Sequence, residues 1–271
     1  MTTTSPGVLL LAPRVTETGH QLRTAAGRRG LRARTATSWR APRELVGEPV
    51  HLYGGPLFAD AVGRELGLGL LEPAADWLTR LPLALTRRQV SFTTLARARR
   101  RLKRPAFVKP PADKLFPARV HPHGSALPGP DVLPGDTPVL VSEVVRFGEE
   151  FRLFVLDGRV EASSLYSVNG DLRVAPLGGG KRESREVLAF TREVLAASAE
   201  CAPLPSAAVV DVGLTDEGHW AVVEANAAWA SGGYAADPEG ALDVVLRSAG
   251  PASRLRPADR PFLRELPEVV D

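Results

Sequence analysis

Three oxygen-bearing side chains late in the chain carry the clearest chemical pattern. Asp211 stands in Val209-Val210-Asp211-Val212-Gly213, and Glu224 and Asn226 stand in Val222-Val223-Glu224-Ala225-Asn226. Both stretches are apolar, and a charge inside a buried run needs a partner. If the two pair as neighbouring strands, the three side chains can converge near one end of a sheet. Glu224 and Asn226 are two apart and so share a face. Two carboxylates and an amide oxygen are hard donors of the kind that suits Mg2+. The plainer alternative leaves Asp211 facing solvent and Glu224-Ala225-Asn226 merely ending a strand. A second pattern is Phe107-Val108-Lys109-Pro110, followed closely by Lys114. Lys109 closes an apolar run, where its ammonium would meet an anion such as a nucleotide phosphate or reach back to solvent along its own stem. The third pattern, Val141-Ser142-Glu143 and then Glu149-Glu150-Phe151-Arg152, brackets a turn with acids and a cation, which a surface ion pair would also explain.

The elements that must hold these residues alternate in two styles. In the first part, apolar or short strands at Val8–Ala12, Leu31–Thr35 and Val50–Tyr53 flank a helix over Thr18–Arg29. A second helix begins at Pro56 and runs to Leu66. This alternation predicts a small open α/β unit. No GxGxxG follows a strand, so a dinucleotide fingerprint is absent. A basic helix over Thr93–Arg104 connects to the second part, and no aromatic side chains interleave with its charges as a stacking platform would need. After Pro105 come strands at Ala106–Lys109 and Val139–Val145, then a hairpin of Phe151–Leu156 with Val160–Tyr166 across Asp157-Gly158. Asn169-Gly170 marks a further turn. An amphipathic helix over Glu183–Ala199 precedes strands at Ala207–Leu214 and His219–Ala225. A last helix starts at Asp237-Pro238, and the Pro/Arg-rich tail beyond Gly250 is expected to be peripheral.

Composition bounds the alternatives. With 271 residues, 44% hydrophobic and 24% charged, the chain has ordinary globular usage. The single cysteine, Cys201, excludes a disulfide framework and a Cys-rich zinc site. No apolar run approaches the ~18 residues that cross a bilayer. No basic side chain precedes Val8, which argues against a signal peptide. A cytoplasmic protein is the expectation. Charge is uneven: residues 1–110 hold 19 Lys/Arg against 7 Asp/Glu, and the remainder 15 against 24. Such asymmetry suggests regions with different tasks. Gly178-Gly179-Gly180-Lys181 lacks the Walker pattern, with Ala175 and Arg182 at the deciding positions, and reads as a mobile loop. His121-Pro122-His123 has no evident third ligand for a metal.

Taken in order, Phe107-Val108-Lys109-Pro110, Val141-Ser142-Glu143, Gly148 to Val155, Asp211 and Glu224-Ala225-Asn226 resemble the ATP-grasp superfamily. The resemblance spans roughly residues 86 to 250, and within the superfamily it is strongest to a bacterial group with Phe-Val-Lys-Pro and Glu-Ala-Asn signatures. It implies an α/β (α+β grasp) architecture. A small open α/β domain over 1–85 would precede an ATP-grasp domain of two subdomains over 86–250 and a tail over 251–271. By the same resemblance, Lys109 matches a phosphate-binding lysine with Lys114 as a second contact. Glu143 matches the hinge acid, with the backbone of Val144 and Val145 at the adenine edge. Glu150 matches the carboxylate on the ribose hydroxyls. Arg152 matches a catalytic basic position facing the triphosphate or an acyl phosphate. Asp211, Glu224 and Asn226 match ligands of bound Mg2+, a pair of ions. Trp229, Ser231 and Tyr234 fall on the acceptor side of the cleft. His121-Pro122-His123-Gly124-Ser125 departs from the family, being Pro-rich where a flexible loop usually covers the phosphates.

The implied activity is ATP-dependent, ADP-forming ligation of a small carboxylate, an amino acid or peptide, to an amine through an acyl phosphate. The alternatives are a small-molecule kinase on the same fold and a non-catalytic nucleotide- or nucleic-acid-binding module. Small-molecule or peptide carboxylates and amines are the expected partners rather than nucleic acid or membrane, and a homodimer is compatible with the sequence.

Overall fold

Four consecutive aliphatic residues, Val8 to Leu11, are all buried, so the strand they form must be covered on both faces. The computed structural model describes residues 7–111, 115–178 and 182–268. The first unit runs β1 (Val8–Leu11), α1 (Glu17–Arg28), β2 (Arg32–Thr35), β3 (Val50–Tyr53), α2 (Pro56–Val62) and β4 (Leu68–Leu70). The first three strands form a parallel sheet in the order β2-β1-β3. Thr16 starts α1, its hydroxyl accepting the Gly19 N–H at 3.0 Å, and Pro56 occupies the first turn of α2.

Two short helices, α3 (Trp77–Arg80) and α4 (Leu83–Thr86), lead into an antiparallel sheet of order β5-β8-β6-β7. Its elements in chain order are β5 (Val90–Thr94), α5 (Leu95–Arg101), β6 (Ala106–Lys109), β7 (Arg119–His121) and β8 (Pro138–Ser142). The basic helix is shorter than the sequence predicts. Thr93 and Thr94 belong to β5, a role their β-branched side chains favour, and the Thr94 hydroxyl caps α5. The strand expected over 139–145 stops at Ser142, which frees Glu143, Val144 and Val145 from the ladder.

A larger antiparallel sheet follows, of order β11-β10-β9-β12-β13. It comprises β9 (Phe147–Leu156), β10 (Arg159–Val168), β11 (Asp171–Pro176) and, after α6 (Arg182–Cys201), β12 (Ala207–Thr215) and β13 (Trp220–Asn226). Its two tightest hairpins turn at Asp157-Gly158 and Asn169-Gly170. All four residues have positive φ, as a two-residue turn matched to strand twist requires. Phe151, Leu153, Val210 and Val222 face α6, meeting Val187, Phe190 and Val194. The opposite face, with Phe154 and Val209, meets α7 (Pro238–Ser248) and residues of the first unit, Leu9 and Leu22, in one shared core.

The tail beyond Gly250 is a correction to the sequence reading, because it is not peripheral. After α7, β14 (Ala249–Pro251) pairs with β4, and Leu263 bridges to Leu71. Arg264 donates to both oxygens of Asp60, at 2.8 and 2.9 Å, and to Glu72 at 2.9 Å. Buried Asp259 accepts from the backbone and hydroxyl of Ser206, each at 2.7 Å. These contacts are polar and aperiodic, so hydrophobic patterning does not announce them.

Candidate active site

One row of polar side chains crosses the large sheet. Register places Ser164 beside Arg152, Arg152 beside Asp211, and Asp211 beside Glu224. Residues directly opposite on neighbouring strands share a face, so the row is a consequence of pairing alone. Arg152 and Asp211 form a two-pronged ion pair at 2.9 and 2.7 Å, and Asp211 has no exposed surface. The guanidinium also lies over the rings of Tyr166 and Tyr234, 5.4 and 5.1 Å from their centroids. Those rings stack on each other at 5.2 Å. Burial pushes the Asp211 carboxyl up, against the pull of Arg152. Burial works against the charge on Arg152 as well, but Asp211 outweighs it and holds Arg152 above its ordinary value. Tyr234 has a φ of 52°, in the left-handed region, and its loop is pinned to α1 by the Gly233 N–H donating to the Thr18 hydroxyl at 2.8 Å.

Glu224 makes a different kind of pair. Lys109, at the end of β6 in the smaller sheet, donates to one Glu224 oxygen, and Asn226 donates to the other at 2.8 Å. The contact therefore links the two sheets. Its side chains keep 14% and 27% of their surface exposed, against 0% for Asp211 in the other pair. Burial tends to raise the Glu224 pKa, but Lys109 and Asn226 prevail and hold it below the usual carboxylate range.

Two cavities meet at this contact. The first, of about 880 Å³, lies between the sheets and is lined by Lys109, Glu143, Val144, Val145, Glu150 and Glu224 among others. Glu143 clasps the β5 entry, accepting from the Gln89 N–H at 2.9 Å while its own N–H donates to the Gln89 carbonyl at 3.1 Å. Glu150 accepts the Tyr166 hydroxyl at 2.8 Å. The second cavity, of about 730 Å³, opens towards the first unit and takes in Asn226, Trp229 and Ser231. Leu78, Lys109, Leu140 and Glu224 line both. Arg152, Asp211 and Tyr234 line neither. Lys114 lies outside the described residues, as do Gly179 to Lys181.

Sequence reasoning missed Arg88. It is buried beside the first cavity, donating to the carbonyls of Thr86, Val222 and Val223 at 2.7 to 3.0 Å, with the Phe147 ring 5.6 Å away. Burial pulls its pKa to about 10. In an Arg-rich stretch nothing distinguishes Arg88 from Arg87 beside it, so only its inward orientation marks it.

Among the described residues, no three His, Cys, Asp or Glu side chains group closely enough to hold a metal ion. A hard cation would therefore need the Asn226 amide oxygen. That donor set fits: Glu224 and Asn226 touch, and Asn226 accepts no hydrogen bond among the described residues. Asp211 stands next to them in register, but Arg152 engages both of its oxygens.

A family model of the ATP-grasp domain, the second family of its clade, matches residues 85–244. The chain belongs to this family. The matched stretch contains both antiparallel sheets and every residue of the polar row. No curated protein matches the chain significantly. Among solved structures, an ATP-grasp RimK domain protein from Sphaerobacter thermophilus DSM 20745 is 18% identical, covering 88% of this chain and 99% of its own, with a TM-score of 0.47. The ATP-grasp ligase PsnB, complexed with a phosphomimetic variant of its minimal precursor, Mg and ADP, is 14% identical over 91% of this chain and 99% of its own, at 0.49. D-alanine–D-alanine ligase from Bacillus anthracis is 11% identical over 90% and 97%, at 0.44. No helix among the described residues of this ATP-grasp chain is long and apolar enough to cross a membrane.

Proposed function

We propose that this ATP-grasp protein is an ADP-forming ligase that joins a small carboxylate, an amino acid or peptide, to an amine. The observation that carries the reading is the Lys109–Glu224 contact, because it stands where the two cavities share a wall. A nucleotide in the first cavity and an acid in the second would have their reacting ends side by side there. Such chemistry depends on positioning and charge neutralisation rather than on a side-chain nucleophile.

Each residue then has a task. The backbone of Val144 and Val145, released from β8, offers hydrogen-bonding groups to the adenine edge, and Glu143 holds that turn against Gln89. Glu150 accepts the ribose hydroxyls, with its second partner Tyr166 keeping it oriented. Lys109 and Arg88 face the phosphates, and Lys114 is a further contact. Glu224 and Asn226 hold Mg2+, and Asp211 anchors Arg152 beside them. Mg2+, when bound as one or two ions, neutralises charge on the phosphate oxygens. The substrate carboxylate oxygen attacks the γ-phosphorus as the bond to ADP breaks, giving an acyl phosphate. The amine nitrogen then attacks the carbonyl carbon, and inorganic phosphate leaves. Trp229 and Ser231 border the acid in the second cavity, whereas Tyr234 supports Arg152 from behind.

The test is ADP release with pooled amino acids and short peptides in Mg2+ and hydroxylamine. A hydroxamate together with ADP is the expected result. ADP release with a phosphorylated product and no hydroxamate would replace ligation by kinase chemistry. Undiminished ADP formation in Glu224→Gln would remove the metal assignment.

A further inference from the structure

The second cavity differs chemically from the first. Trp39, Leu57, Phe58, Trp77 and Trp229 line it, whereas no tryptophan lines the first. Trp39 meets Phe58 edge-on at 5.8 Å, which fixes an aromatic corner. Trp39 and Leu57 remain 56% and 75% exposed. Large apolar side chains left in solvent at the mouth of a cavity mark a place where apolar surface is covered by a ligand. The charged groups of the lining are mostly spent on each other: Lys109 pairs with Glu224, and Arg264 with Asp60 and Glu72. Arg14 is the exception, with no ion pair among the described residues.

We infer that the second cavity selects an acid with a large apolar side chain, an aromatic or branched aliphatic amino acid or a peptide residue bearing one. Trp39, Leu57 and Phe58 cover the side chain, and Arg14 meets carboxylate charge that is not consumed in the reaction or, in the free acid, the carboxylate itself. This deepens the ligase reading and rests on it for the reaction, but the binding preference stands on the cavity alone. Trp39 and Leu57 come from the first unit, so specificity lies outside the matched ATP-grasp stretch. A buried phenyl or isobutyl group favours binding by enough to exceed tenfold in affinity over a methyl group.

Three of the four tryptophans line this cavity, so tryptophan emission reports its occupancy. Phenylalanine, leucine, alanine, glutamate and phenylalaninamide are titrated into the full chain. Phenylalanine and leucine should perturb the emission saturably, with Kd at least about tenfold below alanine and glutamate. Leu57→Asp and Trp39→Ala should each weaken phenylalanine about tenfold while Mg–ATP binding is unchanged. Arg14→Gln should abolish the preference for phenylalanine over its amide. Equal or tighter binding of alanine or glutamate overturns the inference, as does phenylalanine binding that ignores both Leu57→Asp and Trp39→Ala. Hydroxamate formed from glutamate but not phenylalanine would overturn this preference and leave the ligase reading standing. Selective phenylalanine binding with no hydroxamate from any acid would do the reverse.

Discussion

Arg152–Asp211 and Lys109–Glu224 sit beside each other on the polar row, yet they are built for different purposes. The first pair lies within one sheet, held by strand register, two parallel hydrogen bonds and two stacked tyrosines. The second spans two sheets, through a flexible lysine stem and a carboxylate that retains some exposure. A pair of the first kind cannot open without leaving a buried charge uncompensated, which is severely destabilising. A pair of the second kind can exchange partners at modest cost when phosphate oxygens and a cation arrive. The difference teaches that burial and good geometry argue for support, and that half-exposure across a cleft argues for chemistry.

Mutations at the two pairs can break that comparison. The largest effect on turnover is expected from Glu224→Gln, a loss of at least about 10²-fold in ADP release with the folded circular dichroism spectrum unchanged. Lys109→Ala should lose a similar factor. Asp211→Asn should act mainly on stability. It leaves Arg152 buried and unpaired, at about 3–5 kcal/mol, read as a Tm drop on the order of 10 °C. A stable Asp211→Asn protein without turnover would instead make Asp211 a direct metal ligand and merge the two pairs into one machine.

Smaller changes sharpen the distinction. Tyr234→Ala removes one face of the stack on Arg152 and should lower stability by about 1 kcal/mol, measured by urea unfolding, whereas Tyr234→Phe keeps the ring and should be near neutral. The pH response should be the subtlest. Glu224 is held below its ordinary value, so its contribution is full above about pH 4.3 and is lost as pH falls through the lowered value. Asp211 is pushed up, so its folded form takes a proton first and its contribution improves as pH falls towards about 3.9. Unfolding free energies between pH 7 and 4 should therefore decline less on acidification in Lys109→Ala, and more in Asp211→Asn, than in the parent.

Much of this is legible in the sequence alone. Hydrophobic runs and turn dipeptides place nearly every strand of the large sheet, because Asp-Gly and Asn-Gly supply the positive φ that such turns demand. The spacing of Asp211, Glu224 and Asn226 anticipates strand pairing, and the pairing puts Asp211 and Glu224 opposite each other. Short or weakly amphipathic elements are not legible: α3, α4, β4 and β7 carry too few residues for a period to emerge. Arg88 is hidden by its neighbours, and the tail by contacts that are ionic rather than apolar.

The residues that carry chemistry, their order and the alternation that makes strands of them are properties of the sequence, since side-chain type and period are local. What each charge does was decided only by the fold. Arg152 and Asp211 look from sequence like working groups, but pairing within one sheet consumes them. Lys109 and Glu224 lie far apart in the chain and meet because two sheets face each other. Whether a charge is spent or available depends on which strands become neighbours. That is settled by long-range packing, which no local pattern encodes.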